Sequence, residues 1–208
     1  MKQKSFIDHI HPARLPEERI RISSSFCLGG AAFFLFIMLC MTGLLLSVYY
    51  IPTPDGAIAG LHDLDQVIPF GRLIRSFHFW AGQLMVIAVL LHTVRIVAAG
   101  AYLPPRHFNW LIGLVLMVLT LGLDFSGYVL RWDSRSFRAA QVISQLLGQI
   151  PLMGPALQKI LFGGSQMAEP GLLRFYIFHC LGGPGLSFIL IMYHFWRVRK
   201  DGRFKKAL

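Results

Sequence analysis

Four apolar segments, each long enough to cross a lipid bilayer, constrain this chain more than any other feature. They cover approximately residues 26–50, 76–98, 110–130 and 175–198. Hydrocarbon offers no water to backbone polar groups, so each segment is predicted to form a transmembrane helix. The chain is 55% hydrophobic and only 14% charged, and its connections leave no room for a soluble domain. Residues 1–208 are therefore predicted to form one all-α membrane domain, a four-helix bundle.

Positive charge is concentrated on one side of this predicted bundle. The N-terminal segment, the 99–109 connection and the C-terminal tail, with two helix-end arginines, hold 13 Lys/Arg and 4 Asp/Glu. The other side, with loops 51–75 and 131–174 and Asp124, holds 7 and 6. Because Lys and Arg are retained on the cytoplasmic side, both termini are predicted to be cytoplasmic. The net charge of +10 then indicates how the chain is oriented in the membrane. Membrane lipid is the expected surrounding, and no nucleic-acid partner is expected.

The 131–174 connection contains the apolar stretch IPLMGPALQKILFGG. It is predicted to form short interfacial helices on the outer face, broken at Pro151 and Pro155.

Two of the predicted membrane helices each carry a pair of histidines. His78 and His92 are fourteen residues apart, and His179 and His194 are fifteen apart. Fourteen helical residues return to within about 40° of the starting direction and rise about 21 Å. Both helices run from outside to inside, so His78 is level with His179, and His92 with His194. Facing imidazoles can ligate a haem iron axially. One such histidine is explained equally well by an interhelical hydrogen bond, but four at matching levels predict two haems.

Glycines recur at the same interval on the other two helices. Gly29 and Gly43 are fourteen residues apart, as are Gly113 and Gly127. Glycine allows close approach to a membrane helix, and a flat porphyrin needs that room. By level, Gly43 and Gly127 belong with the outer histidines, and Gly29 and Gly113 with the inner ones. The alternative is that these glycines only allow helices to pack.

Three arginines lie near the histidines, at the membrane surfaces. Arg75 is one turn outside His78, Arg95 one turn inside His92, and Arg199 five residues past His194. They are candidates for contacts with haem propionates, or are helix-end anchors whose charged groups reach the interface.

Sequence motifs surround these residues. RSFH and HTVR occur in the second segment, FNWLIG and FSGYVLRW at the ends of the third, and RFYIFH and YHFWRVRKDG in the fourth. Over nearly the whole chain they resemble the cytochrome b family of quinol oxidoreductases, and more closely cytochrome b6. The fifteen-residue step from His179 to His194 is the cytochrome b6 spacing.

The resemblance implies an electron-transfer subunit of a bc or b6f-type complex, active only within that complex as a quinol:cytochrome c oxidoreductase or one with a plastocyanin-type acceptor. The expected partners are a Rieske-type iron–sulfur subunit, a c-type cytochrome and a separate subunit supplying the C-terminal cytochrome b helices, in a dimeric complex. The expected location is a bacterial plasma membrane. Quinol is expected to be oxidised outside, and quinone to be reduced inside, near Cys27, Arg199 and Asp8.

The three cysteines, Cys27, Cys40 and Cys180, form neither CxxC nor CxxCH. In the segment FCLGG, Cys27 precedes Gly29 by two residues, which resembles the b6 pattern that tethers a third haem through one thioether. The alternative is that Cys27 is a small apolar residue. The other two cysteines are expected to be packing residues.

The chain departs from the family pattern at two positions. Arg131 stands where proline is usual, within the segment 127–133 that borders the outer quinol pocket in the family. Asp124 lies inside the third segment, where the pattern has no acid, and an intramembrane carboxylate is a functional candidate. It is expected either to accept protons near the outer quinol or to pair with Arg131.

Two other functions are compatible with these features. One is a dihaem anchor of a different quinone-linked dehydrogenase or hydrogenase, although that class generally spreads its ligands over more helices and lacks the paired glycines. The other is a transporter or assembly protein whose histidines bind metal or relay protons.

Overall fold

The computed structural model describes residues 27–200, and most of them are helical. The helices are α1 (Leu28–Ser47), α2 (Pro54–Gln66), α3 (Gly71–Ala98), α4 (His107–Val129), α5 (Ser134–Gly148), α6 (Gly154–Phe162), α7 (Glu169–Ile177) and α8 (Gly183–Lys200), with a π-helical segment at Phe178–Gly182. Helices α1, α3, α4 and the continuous stretch Glu169–Lys200 are long and apolar enough to cross a membrane. The predicted all-α architecture with four spans is confirmed.

Two of the membrane helices begin well before the apolar segments from which they were predicted, whereas α1 is shorter than its predicted segment 26–50. Helix α3 begins at Gly71 rather than residue 76, and the fourth span begins at Glu169 rather than residue 175. Their first turns contain Arg72 and Pro170, respectively. A hydropathy pattern marks the part of a helix that lies in hydrocarbon, whereas backbone hydrogen bonding continues through polar turns at the interface.

Helix α2 occupies a region for which the sequence predicted only a connection. Pro54 opens the helix, where its missing N–H costs nothing, and the Thr53 hydroxyl accepts a hydrogen bond from the Gly56 N–H at 3.2 Å. A Cβ atom on Gly60 would lie 2.5 Å from the Tyr49 carbonyl oxygen. Glycine at this position therefore lets α2 fold back tightly over the outer end of α1.

The long connection forms the expected interfacial helices, α5 and α6, but the two prolines act differently. Pro151 lies in the turn between them, as predicted. Pro155 does not break a helix, because it lies in the first turn of α6, where proline is well tolerated.

Asp133 caps α5 through a capping box with Ser136. Its carboxylate accepts the backbone N–H groups of Arg135 and Ser136 at 3.1 and 2.8 Å. Partial burial acts to raise the pKa of Asp133, but the Ser136 hydrogen bond and the adjacent Arg131 guanidinium outweigh it and lower the pKa below its usual range. The helix therefore begins on a residue that stays ionised at neutral pH.

The four spans enclose a single interior. Helix α1 packs on α3, α3 on α4, and α4 on α7 and α8. Phe36, Met85 and Ile191 form a buried cluster contributed by three of the spans. Met85 is seven residues from each histidine of α3, so this cluster separates the outer histidine level from the inner one.

Candidate haem-binding site

The outer level brings together His78 of α3 and His179 of the π-helical segment. Their ring centroids are 6.1 Å apart, and the ring planes are inclined at 70°. A metal ion between two opposed imidazole nitrogens, each about 2 Å away, requires ring centroids about 6 Å apart. The rings therefore already have the separation that axial ligation of one iron needs.

Thr42 of α1 fixes the protonation of His78. Its hydroxyl oxygen lies 2.8 Å from His78 Nδ1 and donates its own hydrogen to the Met38 carbonyl at 2.7 Å. Because a hydroxyl has one hydrogen, it must accept from the Nδ1–H of His78. The Nε2 atom is then left with a lone pair, which is the form that binds a metal.

Ser126 of α4 has the same function at His179. Its hydroxyl lies 3.0 Å from His179 Nδ1 and donates to the Leu123 carbonyl at 2.9 Å. The Leu123 carbonyl also lies 3.0 Å from Nδ1 and is a second acceptor. His179 is therefore also protonated on Nδ1, with Nε2 available to a metal.

Sequence reasoning did not identify these two hydroxyl residues. Thr42 and Ser126 immediately precede Gly43 and Gly127, the two glycines assigned to the outer level. A hydroxyl residue immediately before each outer-level glycine was the available signal. The inner-level glycines are preceded instead by leucine and isoleucine.

All four predicted glycines contact the histidine ring that their level indicated. An added Cβ would lie 3.1 Å from the Cε1 atom of His78 at Gly43 and 2.7 Å from that of His179 at Gly127. At the inner level the corresponding distances are 3.4 Å from His92 at Gly29 and 3.5 Å from His194 at Gly113. The space left by the missing glycine side chain is therefore occupied by the imidazole ring. Each glycine in this way lets a histidine ring lie close to the neighbouring helix.

The inner level brings His92 of α3 and His194 of α8 close enough to interact electrostatically. The Nδ1 atom of His194 is buried, and the backbone of Asn109 on α4 lies beside the His194 ring. The two levels thus share the histidine–glycine arrangement but differ in what surrounds the imidazoles.

The π-helical segment explains why the second histidine pair is fifteen residues apart. Regular α-helix would rotate His194 about 60° from His179 over that interval. Instead the Gly183 N–H bonds to the Phe178 carbonyl, five residues back, which accommodates one extra residue. A Cβ on Gly183 would lie 2.5 Å from Leu123 Cδ2, so glycine also lets this segment approach α4. Both histidines of the fourth span can consequently face the interior.

The arginines are not all available as predicted. Arg75 forms an ion pair with Asp65 of α2. Arg95 is partly buried one turn after His92, and Arg199 is exposed in the last turn of α8. The first arginine already has a carboxylate partner from this chain.

The proposed pairing of Asp124 with Arg131 is wrong. Arg131 lies beyond the end of α4 and pairs with Asp133, two residues further along the chain. Asp124 Oδ1 instead accepts a hydrogen bond from Gln83 Nε2 at 3.0 Å, across the interface of α3 and α4. Three residues separate Asp124 from Gly127, so this carboxylate lies about one turn inside the outer histidine level.

Cys27 lies at the start of α1 with left-handed backbone angles, and its side chain is exposed. It is two residues from Gly29, which contacts His92, so it lies at the inner end of the bundle. Cys40 is partly exposed and Cys180 is exposed. Asp8, expected near the inner quinone, is outside the described residues.

The fold and these contacts define a class: helical membrane proteins with paired histidines at two levels of a four-helix bundle. The family described as cytochrome b/b6/petB matches residues 16–202. The chain belongs to the cytochrome b family, and is an integral membrane protein of electron transport.

Curated relatives and a solved structure agree with this assignment. Cytochrome b6 of Heliobacterium modesticaldum is 37% identical over 177 residues, covering 85% of this chain and 83% of the relative. The cytochrome b subunit of menaquinol:cytochrome c reductase from Geobacillus thermodenitrificans is 31% identical over 196 residues, covering 94% of this chain and 85% of the relative. A chain of a hyperthermophilic respiratory Complex III has the same fold, with a TM-score of 0.80 at 22% identity. The match covers 97% of this chain and 58% of that one.

Proposed function

We propose that this chain is the haem-carrying cytochrome b subunit of a quinol-oxidising complex of the bc or b6f type. His78 and His179 would hold an outer b-type haem, and His92 and His194 an inner one. When bound, such haems supply one-electron transfer between sites on the two membrane surfaces. No catalytic acid, base or nucleophile of this chain is needed for that transfer.

The outer histidine pair carries this proposal. The rings are separated by 6.1 Å, and a hydroxyl oriented by its own helix accepts from each Nδ1–H. Both Nε2 atoms are thereby left without a proton, on rings whose centroids have the separation that a shared metal ion requires.

The chain's own residues would separate and orient the two levels. The buried apolar cluster of Phe36, Met85 and Ile191 lies between them. The fourteen-residue interval on α3 corresponds to a rise of about 21 Å, so the two levels lie near opposite membrane surfaces. Arg95 and Arg199 remain candidates for propionate contacts inside, whereas Arg75 would have to share its guanidinium with Asp65.

Asp124 is proposed to accept a proton during quinol oxidation at the outer surface. Its carboxylate is bonded to a neutral amide, that of Gln83. It can therefore gain or lose a proton without breaking an ion pair. Its place near the outer histidine level suits a proton released on that side.

The proposed setting follows the named relatives. One of them is a menaquinol:cytochrome c reductase subunit, which supports a quinol donor and a c-type cytochrome acceptor here. A plastocyanin-type acceptor is the alternative. Of the two electrons that quinol oxidation releases, a Rieske-type subunit would take the one that does not enter this chain. A separate subunit is proposed to supply the remaining cytochrome b helices, within a dimer. The proposed location is a bacterial plasma membrane with cytoplasmic termini.

Cys27 is proposed to attach a third haem through one thioether bond. It is exposed at the inner end of α1, beside Gly29 and the inner histidine level. That haem would lie beside the inner quinone site, together with Arg199.

Haem analysis of the complex from its native membrane tests the proposal. Acidified acetone should extract two b-type haems per chain, and one further haem should stay on the polypeptide, visible by peroxidase staining and by intact mass. Cys27→Ala should abolish the stain, whereas the matched control Cys40→Ala should keep it. An unmodified mass would remove the third haem, and a chain without extractable haem would remove the function itself.

Accessibility labelling tests the orientation. Cysteines introduced at Lys4 and Lys205 should be labelled from the cytoplasmic side, and one at Asp63 from the other side. Labelling of the two ends from opposite sides would contradict four spans.

A further inference from the structure

A stripe of aromatic and basic side chains lies at the inner end of α8, next to the helix face that carries His194. Its members recur at intervals of three and four residues and so share one side of the helix: Tyr193, Trp196, Arg197 and Lys200. Phe108, in the first turn of α4, lies against this stripe. These five residues together form the inner patch.

The side chains of the inner patch are in continuous contact. The rings of Tyr193 and Trp196 are stacked with centroids 5.4 Å apart, and Phe108 meets Tyr193 edge to face at 6.4 Å. The Arg197 guanidinium lies over the Phe108 ring, 5.4 Å from its centroid. Lys200 Nζ lies over the Trp196 ring, 4.8 Å from its centroid. A row of three aromatic rings therefore holds a cation over the ring at each end.

The inner patch faces outward from the bundle and carries positive charge. Phe108, Tyr193 and Trp196 are 44%, 40% and 48% exposed. The carboxylates among residues 27–200 all lie in the outer half of the protein: Asp55, Asp63, Asp65, Asp124, Asp133 and Glu169. An anion at the inner patch would therefore meet two cations and no carboxylate from the described part of the chain.

We propose that the inner patch binds an anionic phospholipid, with the phosphodiester of its headgroup between Arg197 and Lys200. Guanidinium and ammonium groups are the side chains that bind phosphate oxygens best. Trp and Tyr rings favour the depth at which lipid headgroups meet the acyl chains. One phospholipid satisfies both parts of the patch, because its phosphodiester can meet the cations while its glycerol and first acyl carbons lie against the exposed rings.

The contacts of the two cations support a binding site rather than simple anchoring. A basic residue at the end of a membrane helix ordinarily extends its charged group into water. Arg197 and Lys200 instead turn back over aromatic rings, which holds both charges at the depth of those rings. Side chains that are already held in place lose less conformational freedom when a ligand binds. The bound lipid would also join the inner ends of α4 and α8, since Phe108 belongs to one span and the stripe to the other.

Lipid titration of the delipidated complex in an uncharged detergent tests the proposal, with bound lipid counted by native mass spectrometry. The probe is phosphatidylglycerol, which the parent complex should bind saturably. Phosphatidylcholine, whose headgroup has no net charge, tests for an unselective apolar surface. Glycerophosphoglycerol, the same headgroup as the probe without acyl chains, tests for a site that takes a free anion. Both should bind far more weakly than phosphatidylglycerol.

Variants of the inner patch identify its share of the bound lipid. Arg197→Gln and Lys200→Gln should each weaken phosphatidylglycerol binding at this site about fivefold, and the double variant about 25-fold, because each basic residue near an anionic lipid contributes about a fivefold gain in affinity. Trp196→Leu keeps both charges and should weaken binding about twofold to fivefold by removing the ring beneath Lys200. The matched control is the double variant Arg135→Gln/Arg138→Gln on α5, which removes two exposed positive charges from the outer face and should bind as the parent does.

Several results would overturn the proposal. The double variant of Arg197 and Lys200 could bind phosphatidylglycerol with the parent's affinity, which is also the result expected if another subunit covers the inner patch. The control on α5 could lose as much lipid, or the parent could bind phosphatidylcholine or glycerophosphoglycerol equally well. If the double variant does not assemble, which its native mass would show, Lys200→Gln decides: a fivefold loss supports the proposal and an unchanged affinity overturns it.

Discussion

Replacing Gly127 with alanine should damage the outer histidine level more than any other single-methyl addition at the four recurring glycines. The new Cβ would lie 2.7 Å from His179 Cε1, which is 0.7 Å short of the 3.4 Å at which ordinary contact begins. The ring cannot easily retreat, because its Nδ1 is held by Ser126 and the Leu123 carbonyl. Overpacking of this kind costs about 1–3 kcal/mol.

The other glycines provide a graded series of controls. At Gly43 the Cβ would be 3.1 Å from His78, only 0.3 Å short of ordinary contact, so a smaller effect is expected. At Gly29 and Gly113 the distances of 3.4 and 3.5 Å need no movement. Alanine also favours a helix by about 1 kcal/mol over glycine. Gly113→Ala should therefore be neutral or slightly stabilising, while Gly127→Ala should be destabilising by up to about 2 kcal/mol after this gain is subtracted.

Two measurements on the purified complex compare these four glycine variants. Thermal unfolding should rank Gly127→Ala below Gly43→Ala, and both below the two inner-level variants. Reduced-minus-oxidised spectra should show loss or displacement of the outer b-haem component in Gly127→Ala only, or most strongly there. A Gly113→Ala protein as damaged as Gly127→Ala would refute the reasoning from ring clearance.

Three further predictions concern the fourth span and the charged residues near the outer level. Deleting Leu181, which is 74% exposed, should convert the π-helical segment to α-helix and keep both b haems. Adding an alanine after Leu181 should instead turn His179 by about 100° and remove the outer haem. Reduced-minus-oxidised spectra that show loss of a b haem from the deletion variant would contradict this account. Asp124→Asn should keep both haems and full stability, because the amide oxygen still accepts from Gln83, but should slow quinol-driven haem reduction in stopped-flow; a normal rate excludes the proton role. Arg131→Ala and Asp124→Asn should have additive effects on unfolding free energy, within about 0.5 kcal/mol, and measurable coupling would restore their pairing.

The spans and histidine levels could be predicted from sequence because both follow from simple periodicities. Apolar length identifies a membrane helix, and the rotation per residue places His78 and His92 on one face. The same reasoning applied to glycine identified the residues that contact each ring. These properties follow from the rise and rotation along each helix together with the alternating direction of the spans, so no further knowledge of the packing was needed.

The remaining features depend on contacts between helices or on local backbone choices. Asp124 could bond to Gln83 or pair with Arg131, and only the course of the chain after α4 decides between them. The fifteen-residue interval between His179 and His194 indicated an irregularity, but not that the backbone would absorb it as a π-helical segment. Helix α2 was missed because its 13 residues are too polar to resemble a span and too short for a periodic pattern to stand out.

The most direct test of the central claim is the assignment of each histidine to a haem. In the complex, His78→Ala and His179→Ala should each lose the same b-haem spectral component, and His92→Ala and His194→Ala should each lose the other. Low-temperature reduced-minus-oxidised spectra of the four variants, with haem quantified per chain, distinguish the components. Loss of the same component from His78→Ala and His92→Ala would contradict the pairing by level, and retention of both components in any one variant would show that its histidine is not a ligand.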